Sequence, residues 1–116
     1  METNQNTQPR VVLTNAFAMS MLKNPREAIV QFRRISLEEL RELARYNVVN
    51  YIRHPSTLSV VSDIIGRQLE VNSGNYVYHV GDVIIMITLA TPQRGQEAQV
   101  KPEDLVVYQI SVRHLE

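Results

Sequence analysis

The stretch "VVNYIRHPSTLSVVSDIIG", residues 48–66, changes its hydrophobic period halfway along. Val48, Val49, Tyr51 and Ile52 are β-branched or aromatic, the residue types that fit a pleated strand. After His54 the apolar residues Leu58, Val61, Ile64 and Ile65 recur three and four positions apart, which puts them on one face of a helix. Pro55 suits the first helical position, where its missing N–H would have had no helix partner, and Gly66 supplies the stop. A strand therefore runs into a helix through a histidine.

Upstream, "SLEELRELARYN" (36–47) places Leu37, Leu40, Leu43 and Ala44 on one helical face, and Ser36 with Glu39 has the spacing of a capping box. "EAIVQFRRI" (27–35) alternates as a strand does, and "RVVLTN" (10–15) is a short β-branched run closing on Asn15. A single helical turn fits between it and Asn24-Pro25. Downstream, "NYVYHV" (75–80) and "VIIMITLA" (83–90) read as two strands joined tightly at Gly81-Asp82, the second apolar on both faces and hence central. After a polar loop, "LVVYQISV" (105–112) sets Val106, Tyr108, Ile110 and Val112 on one side of a last strand. The pattern predicts one α/β (α+β) domain over residues 10–116, a mixed β-sheet with helices packed on it. Residues 1–9, polar and without apolar periodicity, read as a disordered N-terminal tail.

Twelve basic and twelve acidic residues cancel. No global positive field is available for a long nucleic acid, so an anionic ligand must be met by a local cluster. The absence of cysteine excludes disulfides, thiolate nucleophiles and cysteine–zinc sites. The longest apolar run falls far short of the roughly 20 residues a spanning helix needs, and the N-terminus lacks a signal-peptide core. These features lead to the expectation of a soluble cytoplasmic protein, in the host cytoplasm if its source is a virus, with no membrane partner.

His54 stands immediately before a helix, where unpaired N–H groups and the helix dipole favour an anion. A phosphate there would stabilise the protonated ring, and histidine can hand a proton to a departing alkoxide near neutrality. Ser56 and Thr57 add hydroxyls in the same first turn. The plainer alternative is that His54 only hydrogen-bonds at the helix start, with Ser56 or Thr57 as cap. Arg94 and Glu97 in "PQRGQE" combine a guanidinium suited to a phosphate with a carboxylate three residues on, a pattern also common on bare surfaces. Asn15, with Ser20 beyond it, sits where polar strand-end residues read ligands or simply make turns. His79 and His114 hold no metal-ligand spacing to His54, and neither a G-x-S-x-G elbow nor a phosphate-binding P-loop is present.

Taken in order, "VVLTNAFAMSML", "YIRHPSTLSVVSDIIG" and the R-x-x-E of Arg94 to Glu97 resemble the viral ring nuclease family, the type III anti-CRISPR ring nucleases, over most of residues 10–112. The resemblance implies a homodimer that binds cyclic tetra-adenylate across the subunit interface. It also implies cleavage to linear adenylates with 2′,3′-cyclic phosphate ends, without metal or cofactor, which switches off or evades type III CRISPR signalling. His54 then falls on the catalytic general acid, Arg94 on a phosphate-binding arginine, Glu97 on its acidic catalytic partner, and Asn15 on a nucleotide contact; Ser20, Ser56 and Thr57 are further candidate ligand contacts. Three positions depart from the family pattern. Ala18 replaces a serine, Ser20 an asparagine, and the turn around Ser73 lacks an expected arginine. A non-catalytic nucleotide sink and a small interaction protein of a virus or mobile element are the alternatives.

Overall fold

The computed structural model describes residues 9–90 and 100–116. The elements follow in the order β1 (Arg10–Thr14), a 3-10 turn (Met19–Leu22), β2 (Ala28–Ile35), α1 (Leu37–Leu43), β3 (Asn47–Asn50), α2 (Pro55–Ile65), β4 (Val83–Leu89), a second 3-10 turn (Pro102–Asp104) and β5 (Leu105–Leu115). The strands make one sheet in the order β2-β5-β4-β1-β3. β1 lies parallel to both β3 and β4, whereas β5 runs antiparallel to β4 and β2. This is the mixed-sheet α+β domain that the hydrophobic pattern predicts, and β4 is its central strand.

Local chemistry sets the helix limits. The Glu39 N–H donates to Ser36 Oγ (3.1 Å) and the Ser36 N–H donates to the Glu39 carboxylate (2.9 Å), closing the capping box at the start of α1. The Ser36 N–H bond, ahead of the Arg33 guanidinium, holds the Glu39 carboxyl below its ordinary range. α2 begins with His54 as N-cap and Pro55 in the first turn, and it ends at Gly66, whose φ of +72° a residue with a side chain rarely adopts.

Strand alternation divides the core between two faces. Val11, Leu13, Ile85, Ile87, Leu105 and Val107 point to one face, where α1 and α2 cover them with Leu40, Leu58 and Val61. Val12, Ile84 and Ile110 point to the other, where among the described residues no α-helix lies and the cover comes from Tyr76, Phe17, Met21 of the first 3-10 turn, Tyr51 and Tyr78. Here Phe32 packs edge-on between Phe17 and Tyr108 and stays 46% exposed. Loops rather than helices thus shape everything on this side.

One expectation is corrected. Residues 75–80 form no strand, and Gly81-Asp82 joins no hairpin. Both edges of β4 are already taken, by β1 and β5, so β4 has no free edge for a hairpin partner. The segment instead donates the Tyr78 N–H to the Met21 carbonyl (2.8 Å) and turns back at His79–Asp82, the Asp82 N–H reaching the His79 carbonyl at 2.9 Å. The alternation of Tyr76 and Tyr78 reflects half-burial against the helix-free face, with Val80 left 93% exposed.

Candidate functional site

β1 and β3 are neighbours running the same way, yet the chain leaves them toward opposite faces of the sheet. After β1 it supplies Phe17 and Met21 to the helix-free face; after β3 it enters α2, whose Leu58 and Val61 are buried under the other. Such a divergence opens a crevice beyond the carboxyl ends of parallel strands. The crevice here is a cavity of about 440 Å³. Its walls are Thr14 at the end of β1 with Asn15, Ala16, Ala18, Ser20 and Met21 beyond it, Tyr51 and Arg53 after β3, and the segment Gly74 to Val77 ahead of β4.

Hydrogen bonds join these three walls. Asn15 Oδ1 accepts the Arg53 N–H at 3.2 Å, linking the first wall to the second. The Arg53 guanidinium donates to the Gly74 carbonyl and to Asn75 Oδ1, both at 3.4 Å, linking the second to the third. Asn50 completes the frame: its Nδ2 donates to the Glu70 carbonyl (2.7 Å), and its own carbonyl accepts from Asn72 Nδ2 (2.9 Å). The Tyr51 and Tyr76 rings meet at 5.4 Å with a tilt of 55°. The half-buried Tyr51 ring, backed by buried Tyr76, lies beside a cation and amide donors, a combination that can hold a base by stacking and a phosphate by charge.

A buried polar cluster supports the third wall from behind. Asp82, its side chain only 5% exposed, accepts Arg10 Nε (3.0 Å) and Nη2 (2.7 Å), the Tyr76 hydroxyl (2.6 Å) and the His79 N–H (3.2 Å). Burial pushes the Asp82 carboxyl up, but the bonds from Arg10, Tyr76 and His79 outweigh it and hold the group below the ordinary carboxylate range. Burial first, and the bond to Asp82 second, push the Tyr76 hydroxyl far above its usual value. The Arg10 guanidinium is raised in turn by its bond to Asp82.

The expected site residues fall in different places. Asn15 and Ser20 line the cavity. His54 directly follows Arg53 in the chain but stands outside the lining, an exposed N-cap without a side-chain capping bond. Ser56 is exposed in the first turn of α2 and lies apart from the cavity. Thr57 is 4% exposed, one turn before buried Val61 on the face of α2 that meets the core, and it does not line the cavity. Arg94 and Glu97 lie outside the described residues, as do residues 1–8 of the N-terminal tail.

Sequence reasoning missed Arg53, Tyr51 and Tyr76 as lining residues, and Asp82 as an anchor. The available signal was an arginine directly before the helix-capping histidine. Glu27, His114 and Glu116 bring one ligand atom each within 4.8 Å of one another, but all three are exposed at the end of the β2–β5 pair, where Glu27 precedes β2 and Glu116 follows β5, and none lines the cavity. Among the described residues no helix is long and apolar enough to cross a membrane.

An open mixed sheet, helical on one face and carrying a polar and aromatic crevice at the ends of two parallel strands, defines a small α+β protein built to present a pocket. Residues 11–112 match the family model described as STIV B116-like, and the chain belongs to that family. Among solved structures, B116 of Sulfolobus turreted icosahedral virus shares the fold with a TM-score of 0.66 at 23% sequence identity. The alignment covers 87% of this chain and 97% of the viral one. No curated protein matches the chain.

Proposed function

We propose that this protein binds cyclic tetra-adenylate and cleaves it as a metal-independent ring nuclease, acting as a homodimer to switch off or evade type III CRISPR signalling in a host cytoplasm. The observation that carries this reading is the convergence of Asn15 and Ser20 with Arg53, the residue next to His54, on one cavity at the ends of β1 and β3. Asn15 and Arg53 lie 38 residues apart in the chain, and a hydrogen bond from the Arg53 N–H to Asn15 Oδ1 links them.

The chemistry asks little of the protein. A ribose 2′-hydroxyl attacks its neighbouring phosphorus, the P–O5′ bond breaks, and a 2′,3′-cyclic phosphate remains. The nucleophile is already within the substrate, so the protein's share is to hold the in-line geometry and to protonate the leaving oxygen. The 2′-hydroxyl proton passes to water, and His54 protonates O5′. Arg94 and Glu97 are assigned to phosphate binding and its support by resemblance alone. A two-fold dimer would present His54 twice to a ligand that has rotational symmetry of its own.

The decisive experiment is an incubation with cyclic tetra-adenylate in EDTA, resolved by chromatography. Linear adenylates with cyclic phosphate ends are expected, and intact ligand after prolonged incubation overturns the enzyme reading. A second reading, a non-catalytic sink, is favoured by the position of His54 outside the cavity lining. Thermal stabilisation by the ligand without product would select it.

A further inference from the structure

We infer that Arg53 is a phosphate-gripping residue of the cavity, a role that neither the resemblance nor the family match assigns to it. Among the described residues lining the cavity, it is the single charged one. Its backbone is fixed separately from its side chain, because the Arg53 N–H is held by Asn15 Oδ1. The guanidinium is therefore presented from a braced position.

Its present partners are weak ones. Both are neutral oxygens at 3.4 Å, long for a guanidinium donor, whereas Arg10 has a carboxylate at 2.7 Å. Arg53 forms no ion pair among the described residues. Exchanging two long bonds to neutral oxygens for a bidentate contact with a phosphate is favourable, since charge-assisted bonds are shorter and roughly twice as strong. The partners also mark the place. Gly74 and Asn75 directly follow Ser73, in the turn where an arginine is expected from the resemblance and is missing. Arg53 delivers a guanidinium to that turn from the opposite wall, so the cavity has a cation although the turn itself carries none.

The ligand class, an adenylate phosphodiester, rests on the function proposed above, and the test separates the two. Wild type, Arg53→Ala and Arg53→Lys are titrated calorimetrically with cyclic tetra-adenylate and with linear di-adenylate at several salt concentrations, and their melting temperatures are recorded. Arg53→Ala is expected to weaken binding about tenfold to a hundredfold and to flatten the dependence of affinity on salt, with an unchanged melting temperature. Arg53→Lys should recover the salt dependence but only part of the affinity, because a lysine cannot grip two oxygens in one plane. Equal binding and an equal salt slope in Arg53→Ala would overturn the inference, as would a loss of binding accompanied by a lower melting temperature and an unaltered salt slope. If wild type ignores the cyclic ligand, the proposed function fails; Arg53-dependent binding of the linear one would then sustain the role of Arg53, and binding of neither would refute that too.

Discussion

Tyr76 donates its hydroxyl to Asp82 across 2.6 Å, and the same carboxylate takes two bonds from Arg10 at the start of β1. A cavity wall with no ladder of its own is thereby tied to a strand in the sheet. Removing the carboxylate charge should loosen that wall. Asp82→Asn is expected to cost about 2–3 kcal/mol, less than the 3–5 kcal/mol of a fully buried broken pair because the Arg10 side chain keeps 32% of its surface in water. Denaturant titration measures this, and a change within error would show that the cluster adds nothing to stability.

The same cluster sets a pH window. The Asp82 carboxyl is lower in the folded chain than in the unfolded one, so its contribution is present above the unfolded value near ~4 and is lost as pH falls through the folded value. The Tyr76 hydroxyl is raised, so its contribution is present below the unfolded value near ~10 and is lost as pH rises further. Wild type should lose stability on both flanks. Tyr76→Phe should flatten the alkaline flank, and a profile with the wild-type slope there would exclude Tyr76 as its source.

His54→Ala should keep the fold, because the side chain is exposed and makes no capping bond. If His54 is the general acid, single-turnover cleavage of cyclic tetra-adenylate should fall at least about tenfold, with binding retained, a positioned acid being worth about 10²- to 10⁴-fold. Wild-type turnover in this variant would remove His54 from the mechanism.

Asn15→Ala frees the Arg53 N–H and removes one tie between two walls of the cavity, which the Tyr51 N–H bond to the Leu13 carbonyl still joins. The expected stability loss is only about 1 kcal/mol, because the bond lies at an exposed backbone position. Ligand affinity should fall more than stability does. Equal affinities in wild type and variant, measured by titration, would show that Asn15 neither contacts the ligand nor orders the site.

Ser36→Ala breaks the capping box of α1 and should cost about 1 kcal/mol, lowering the melting temperature without altering ligand affinity. A loss of affinity would reveal coupling between α1 and the cavity that no contact here explains.

Nearest-neighbour chemistry made much of this molecule legible in its sequence. The capping box of Ser36 and Glu39, Pro55 in the first turn of α2, Gly66 at its end and the doubly apolar β4 all follow from residues a few positions apart. Periodicity of this kind reports which face of an element is buried, and so it sufficed for the α+β class. It also placed Asn15 and His54 at strand and helix ends, though not in relation to each other.

Tertiary structure alone decided what no local pattern encodes. The order β2-β5-β4-β1-β3 takes up both edges of β4, so the alternating residues 75–80 became a cavity wall instead of a strand. The parallel pairing of β1 with β3 brought Asn15 to Arg53, made Arg53 a lining residue, and left His54 beside the cavity while the core claimed Thr57. Hydrogen-bonding capacity is a property of each residue, but its partner is chosen by chain segments that meet only after the sheet has closed.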